Sequence, residues 1–260
     1  MKQLNQFIAE YIIKKKLDKP IDSEDHYEYF PKTKEELISN IKGLFYNGET
    51  DLNSIDTSKI TDMSNLFEDI RHNFDVSKWD MSNVIDISFM FYGCHNFNCD
   101  LSRWNVSKVE NMYSTFGTCK NFIGKGLENW NTSNVIDMGL VFCNCEKFNC
   151  DLSNWNASNV VNMYCTFDYC KNFIGKGLEN WNVSNVINMT GMFAGCEKFD
   201  CDLSNWDVSN VIDMKFTFNY CRNFKGKGLE NWDVSNIHAM YCVFKNCVNL
   251  TIPSWYKSNI

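Results

Sequence analysis

The chain has 260 residues, of which 44% are hydrophobic and 15% aromatic, and its formal net charge is -7. That length leaves room for one or two ordinary domains with a substantial core. The negative charge argues against a nucleic-acid binder, which needs a clustered basic face to neutralise phosphates. The sequence contains no run of 18 apolar residues, so we expect no insertion into a membrane.

The first fifty residues predict a helical cap. Residues 3–16 have the apolar spacing of an amphipathic helix, and the alternation in residues 26–30 predicts a short strand. The capping box from Thr33 to Glu36 opens a second helix, which should end before Gly48. Such elements would cover the hydrophobic end of a repeat array. We therefore assign residues 1–50 to a cap and residues 51–260 to a solenoid of about eight coils.

The tryptophans define the repeat. They are separated by 25, 26, 25, 26, 25, 26 and 23 residues, and they are Trp79, Trp104, Trp130, Trp155, Trp181, Trp206, Trp232 and Trp255. A fixed period of this size is typical of a solenoid with one supersecondary unit per repeat. Ile55 takes the tryptophan position in the first coil. Positions in a coil are numbered below from this residue, so that position +3 lies three residues after it.

Each coil is predicted to contain a strand followed by a short helix. The motif Leu-x-x-Trp-x-Val ends in an alternation that favours a strand with one buried face. The motif Val-x-x-Met-x-x-x-Phe-x-x-Cys has spacings of 3, 4 and 3 residues, which favour a helix. Serine is invariant at position +3, where it would cap that helix. Stacked coils would then form a parallel sheet above ladders of identical buried residues.

The repeat unit also resembles a known family. Leu-x-x-Trp-x-Val resembles the strand core of leucine-rich repeats, and Val-x-x-Met-x-x-x-Phe-x-x-Cys-x-x-Phe resembles the second half of the Treponema-type repeat. From residue 51 to residue 255 the chain is similar to BspA-like leucine-rich repeat proteins, also called the mycoplasma lipoprotein-associated repeat group. The resemblance implies an α/β fold, a right-handed solenoid with a parallel sheet. It also implies a protein-binding role, and it admits a cell-surface location.

The thirteen cysteines do not predict a metal site or a disulfide framework. None forms a C-x-x-C pair, Cys143-Asn-Cys145 is the closest approach, and the four histidines pair with none of them. Seven cysteines share position +15, where a ladder of parallel side chains has poor geometry for disulfides. We therefore expect reduced thiols and a cytoplasmic or otherwise reducing compartment. The N-terminus also lacks the pattern of a signal peptide.

No motif predicts catalysis or a cofactor. Asp100, Asp151 and Asp202 form a ladder of like residues rather than an acid and base in different environments. The Gly-Lys-Gly runs around Lys125, Lys176 and Lys227 lack the spacing of a phosphate-binding loop, so we expect turns there. The sequence therefore predicts a protein that is not an enzyme and that holds no cofactor.

A polar row beside the tryptophans is the predicted binding site. On a strand, the residues that flank a buried tryptophan point to solvent. The candidates are Arg103, Asn105, Asn131, Asn156, Asn182, Asp207 and Asp233. Eight strands would make a face about 35 Å long, so we expect a protein or peptide partner. Two alternatives remain open. The side chains could instead bond to one another and to the turns as Asx ladders, or the array could be a structural or adhesive spacer of a cell surface or virion.

Overall fold

A computed structural model describes residues 27–257, which form a stack of coils. Its one α-helix, α1, spans Lys34–Tyr46, and single-turn 3₁₀ helices lie at Leu127–Asn129, Leu178–Asn180 and Leu229–Asn231. Neighbouring coils are joined at position +7 by single parallel bridges, which run from Asp62 through Asp86 and Asn111 as far as Ala239. The predicted repeat solenoid is therefore present, and its handedness stays a prediction.

The predicted strand and helix within each coil are wrong. Within residues 27–257 no strand extends beyond one bridged residue, and the motif Leu-x-x-Trp-x-Val forms turns. For example, the N–H of Trp155 donates to the carbonyl of Leu152 at 3.0 Å, and the N–H of Val160 donates to Ala157 at 3.0 Å. Bonds between residues three apart are those of β-turns. A succession of turns has the same spacing of three and four residues as a helix, so periodicity alone does not separate the two.

Backbone bonds between coils replace the predicted helix from position +8 to position +14. The N–H groups of Met163, Cys165 and Phe167 donate to carbonyls of the next coil at 2.9, 2.8 and 2.9 Å. Positions +10 and +14 have positive φ in all eight coils, including bulky residues such as Leu140 and Tyr169. An α-helix keeps φ negative and bonds within its own turns. The residues with positive φ therefore direct alternate backbone N–H groups towards the neighbouring coil.

The core is made of ladders of identical residues, as the repeat predicts. The rings of Trp130 and Trp155 stack with centroids 6.1 Å apart, and those of Phe142 and Phe167 stack at 5.6 Å. Every indole N–H donates to the carbonyl at position -3 of the preceding coil, over 2.7 to 3.3 Å. A buried tryptophan needs such an acceptor because its N–H has left water. The tryptophan ladder thus fixes the register of the stack.

Helix α1 covers the first coil. Thr33 is its N-cap, since the Thr33 hydroxyl accepts the N–H of Glu36 at 3.3 Å. Its buried face consists of Leu37, Ile41 and Leu44. Tyr29 forms a parallel bridge with Ile55. The second predicted helix is therefore present, and the predicted strand at residues 26–30 is reduced to this one bridge. The helix predicted for residues 3–16 lies outside the described residues, and the boundary at residue 50 stays a prediction.

The thiol ladder yields a prediction. Each cysteine at position +15 donates its thiol to the carbonyl at position +12 of the preceding coil, over 2.8 to 3.0 Å. Burial holds the pKa of Cys170 well above its ordinary value, so the reactive thiolate is absent. Nine of the thirteen cysteines are buried and all are free. We expect thiol reagents to label at most four in the native protein and all thirteen after denaturation. Recovery of a Cys119–Cys145 disulfide by peptide mapping would contradict this arrangement.

Candidate functional site

The predicted site residues lie on the surface but belong to turns. Asn131, Asn156 and Asn182 are exposed, and each side-chain oxygen accepts the backbone N–H two residues later, at 3.1, 2.9 and 3.0 Å. Asn105, Asp207 and Asp233 make the same bond, and Arg103 is exposed beside them. The alternative of an Asx arrangement is therefore confirmed for these oxygens. The serine at position +3 supplies the N–H of this turn and caps no helix. Binding by this row stays a prediction.

Two further polar rows bond from coil to coil. The amide of Asn159 at position +4 donates to the carbonyl of Ser133 at 2.7 Å, and other coils repeat this bond. The lysines of the Gly-Lys-Gly runs pair with the preceding coil, as Lys176 does with Asp151 at 2.8 Å. Hydrogen bonding to Lys176 is the first cause that lowers the pKa of Asp151 to about 2. These lysines therefore serve the turns predicted for them.

Residue identity changes from coil to coil at positions +9, +10, +13 and +14, which together we call the variable face. The Trp155 coil places Tyr164, Cys165, Asp168 and Tyr169 there, whereas the Trp181 coil places Thr190, Gly191, Ala194 and Gly195 there. The buried positions of the same coils hardly change. The backbone and the buried ladders repeat while these side chains do not, so neither the backbone path nor the ladders fix their chemistry.

Small residues of the variable face lie beneath large ones of the preceding coil. A Cβ atom built on Gly139 would lie 2.9 Å from the ring of Tyr113, and one on Gly195 would lie 3.0 Å from the ring of Tyr169. A Cβ on Gly191 would lie 2.8 Å from the sulfur of Cys165. The two rings and the thiol therefore rest directly on glycine backbone. Tyr169 is 48% exposed at the surface.

Asp168 belongs to the variable face. The surroundings of its carboxylate differ from those of the acidic residues in the polar rows. It is partly buried, and the thiol of Cys143 lies 3.8 Å from its Oδ2 atom. Among residues 27–257 it forms no ion pair. Burial raises the pKa of Asp168 to about 7, although bonds from the Cys143 thiol and the Tyr169 N–H act in the opposite direction.

Neutral thiols and phenols surround this carboxyl group. The pKa of both Cys143 and Cys165 is raised to about 12. Burial is the main cause, and the nearby Asp168 is the second. The charge interaction with Cys165 is the first cause that raises the pKa of Tyr164, the hydrogen bond to Cys165 is the second, and Asp168 contributes less. Tyr113 lies near both thiols. We call Tyr113, Cys143, Tyr164, Cys165 and Asp168 the Asp168 cluster. The raised pKa means that neither thiol is activated as a nucleophile.

Within residues 27–257, no three histidine, cysteine or acidic side chains are placed to hold a metal ion. In the same part of the chain, no helix has the length and apolarity needed to cross a membrane. Sequence reasoning overlooked the Asp168 cluster because it interpreted positions +8 to +14 as a helix. The available signal was the change of residue type at these four positions, which lie between the constant methionine, phenylalanine and cysteine positions of the repeat.

The raised pKa of Asp168 predicts a pH-dependent stability. The folded protein holds this proton more tightly than the unfolded chain, so the carboxyl group lowers stability as pH rises from about 4 to about 7. One pKa unit corresponds to about 1.4 kcal/mol, and partial exposure reduces the full value. We expect Asp168→Asn to raise the free energy of unfolding by about 2 kcal/mol at pH 8 and to leave it unchanged at pH 4. Equal effects at both pH values in urea titrations would contradict a raised pKa.

Comparison with known proteins places this geometry in context. A family described as "Mycoplasma protein of unknown function, DUF285" matches residues 35–149, 101–176 and 165–260. A solved structure, "Crystal structure of TLR13-ssRNA13 complex", is 12% identical with a TM-score of 0.31. That match covers 78% of this chain and 39% of the other, so the chain spans about two fifths of that protein. None of the curated proteins compared with the sequence is significantly similar to it.

Proposed function

This chain belongs to the mycoplasma family DUF285, and from the geometry of its coils we propose that it is a non-catalytic scaffold that binds a protein or peptide. One observation carries the proposal. Four positions of each coil vary in chemistry, although the backbone and the buried ladders of the coils repeat. Such a surface combines a repeating support with side chains that vary from coil to coil, which is how repeat proteins build extended binding surfaces.

The side chains of the variable face suit a protein partner. Tyr164, Tyr169 and Tyr220 are 37%, 48% and 42% exposed. Tyrosine is enriched in protein interfaces because it offers a large contact area at a small cost in conformational entropy. Eight coils at a spacing of about 4.8 Å extend over about 35 Å, which accommodates an extended peptide. The proposal therefore concerns the variable face rather than the row beside the tryptophans.

The polar row beside the tryptophans, which the sequence predicted as the binding site, is a rival binding surface. The oxygens of Asn131, Asn156 and Asn182 serve their own turns, but their amide N–H groups and Arg103 face solvent. As further parts of the proposal, the repeat is of the BspA-like type in a right-handed solenoid, and the thiol ladder belongs to a reducing compartment. Nucleic acid and membrane insertion are not part of the proposed activity.

A selection from a random peptide display library on the full chain tests the proposal. The first variant changes the variable face through Tyr113→Ser, Tyr164→Ser and Tyr169→Asn. The matched control changes the rival row through Asn131→Asp, Asn156→Asp and Asn182→Asp. Each new residue already occurs at the same position in another coil, as in Ser88, Asn144 and Asp80. Both variants should therefore fold.

We expect the selected peptides to bind the variable-face variant at least about tenfold more weakly and the control within about twofold, because aromatic side chains dominate interface energetics. Loss of binding in the control alone would assign the function to the rival row. If the chain selects no peptide above the background of an unrelated protein, the binding proposal fails and the spacer alternative takes its place.

A further inference from the structure

We propose that the Asp168 cluster is the anchor site for a basic side chain, lysine or arginine, of the protein or peptide partner. This inference rests on the proposed function, because it names the chemistry that the variable face recognises. In this site the carboxylate of Asp168 pairs with the cationic head of the basic side chain, and the rings of Tyr113 and Tyr164 lie beside that head.

The absence of a cation beside Asp168 within the described residues is the first argument. Asp100, Asp151 and Asp202 each hold a lysine at 2.9, 2.8 and 2.7 Å. The acidic residues at position +1 accept a backbone N–H from their own turn, as Asp207 does at 3.0 Å. Asp168 instead accepts the thiol of Cys143 at 3.8 Å and the N–H of Tyr169, and neither group carries a positive charge. A carboxylate that is partly removed from water without a counter-ion is costly, and a bound cation recovers that free energy.

Aromatic rings supply the second argument. The Tyr164 phenol lies near Asp168 and Tyr113, and it bonds to the thiol of Cys165. Tyrosine faces attract ammonium and guanidinium groups, and the attraction increases when water is excluded. Beyond Asp168 the next coil offers Gly191 and Ala194, which are too small to project over the carboxylate. The aliphatic stem of a lysine or arginine has room to lie across these small residues.

Proton linkage is the consequence that distinguishes this anchor from a simple hydrophobic contact. A basic ligand binds the carboxylate form, and the pKa of Asp168 in the free protein is about 7. The other titratable groups that face Asp168 are the thiols of Cys143, Cys165, Cys196 and Cys221 and the phenol of Tyr164. Burial raises the pKa of these thiols, so they stay neutral across this range. Affinity should therefore fall by up to about tenfold per pH unit below pH 7.

The test uses four pools of random heptapeptides whose central residue is fixed as lysine, arginine, norleucine or glutamate. Binding of each pool to the full chain is measured at pH 6, 7 and 8. Asp168→Asn places at position +13 the residue that the chain already has at Asn219. Asp207→Asn is the matched control, since it also removes one acidic charge. Asn182 makes the same turn bond at the equivalent position of another coil, so asparagine is compatible with this turn. Thermal unfolding at pH 5 verifies that both variants are folded.

We expect the lysine or arginine pool to bind at least about tenfold more tightly than the norleucine and glutamate pools at pH 8. Asp168→Asn should abolish this preference and its pH dependence, whereas Asp207→Asn should preserve both. If the pools bind through the tyrosines of the variable face but ignore the central residue and Asp168→Asn, the anchor is overturned and the proposed function stands. If no pool binds at any pH, the proposed function fails together with the anchor.

Discussion

Replacing Gly177 with alanine should destabilise the chain by at least about 3 kcal/mol, because strain and overlap add at this position. Gly177 has φ 94°, and a Cβ atom there would lie 2.2 Å from the backbone nitrogen of Ser153 and 2.5 Å from the carbonyl carbon of Leu152. These atoms cannot move away freely, since the N–H of Leu152 donates to the carbonyl of Lys176 at 3.1 Å. Denaturant titration of the free energy of unfolding measures the effect.

Two other glycines serve as controls for this prediction. Gly48 also has positive φ, at 79°, but no atom lies within 4 Å of a built Cβ, so Gly48→Ala should cost only the strain of about 1 kcal/mol. Gly43 lies within α1 with equally open surroundings, and Gly43→Ala should stabilise the helix by up to about 1 kcal/mol. If Gly177→Ala cost no more than Gly48→Ala, the close approach of the coils at this turn would be wrong.

Removal of residues 1–50 should cause aggregation or a large loss of stability. The deletion uncovers Leu52, Ile55 and Phe67, all of which are fully buried in the intact chain. It also removes Phe45, whose ring packs 6.5 Å from that of Phe67. A solenoid end without a polar outer surface exposes its core, and terminal caps are needed for solubility. Size-exclusion chromatography and denaturant titration of the truncated chain measure the outcome.

A milder variant tests how much of the effect of the deletion comes from the buried face of α1. Leu37→Ser, Ile41→Ser and Leu44→Ser together keep the chain length and remove the apolar contacts. The control is Lys42→Ser on the exposed side of the same helix. Each buried leucine or isoleucine contributes about 2 to 4 kcal/mol, so the triple variant should behave like the deletion. A truncated array that stays monomeric and unfolds at the same denaturant concentration would show that α1 is not a cap.

The sequence predicted the parts of the fold that depend on side-chain burial. The ladders at the tryptophan, methionine and phenylalanine positions are buried as the period indicates, except that Met240 and Trp255 near the C-terminal end are partly buried. The capping box at Thr33 and the glycine Gly48 predicted the two ends of α1 to within a residue. Both predictions rest on local chemistry that has one physical outcome: apolar rows avoid water, and a threonine oxygen accepts a free N–H.

The path of the backbone within a coil was beyond prediction. Spacings of three and four residues fit a helix and a succession of β-turns equally well. The deciding feature is the positive φ at positions +10 and +14, where Leu140 and Tyr169 give no local signal because such residues usually avoid that region. The residue types gave a hint in some coils, through the residues that tolerate positive φ at these two positions: Gly93, Gly191, Gly195, Asn65, Asp69, Asn144 and Asn246.

The candidate site was predictable only in part. The surface position of Asn131 and Asn156 followed from the alternation, but the use of their oxygens in turns depends on the local backbone. The environment of Asp168 is created by Cys143, which lies 25 residues earlier in the chain. Only the stacking of coils brings the two together, so no local pattern could reveal a carboxyl group whose pKa is about 7.

Hydroxyl-radical footprinting with a selected peptide tests the central claim, that the variable face binds the partner. Tyr164 and Tyr169 are exposed and reactive, and Tyr46 on α1, 86% exposed, is a distant reference. With saturating peptide, we expect the oxidation rates of Tyr164 and Tyr169 to fall several-fold and that of Tyr46 to stay constant. Unchanged rates at both variable-face tyrosines, with the peptide shown to be bound, would contradict the account.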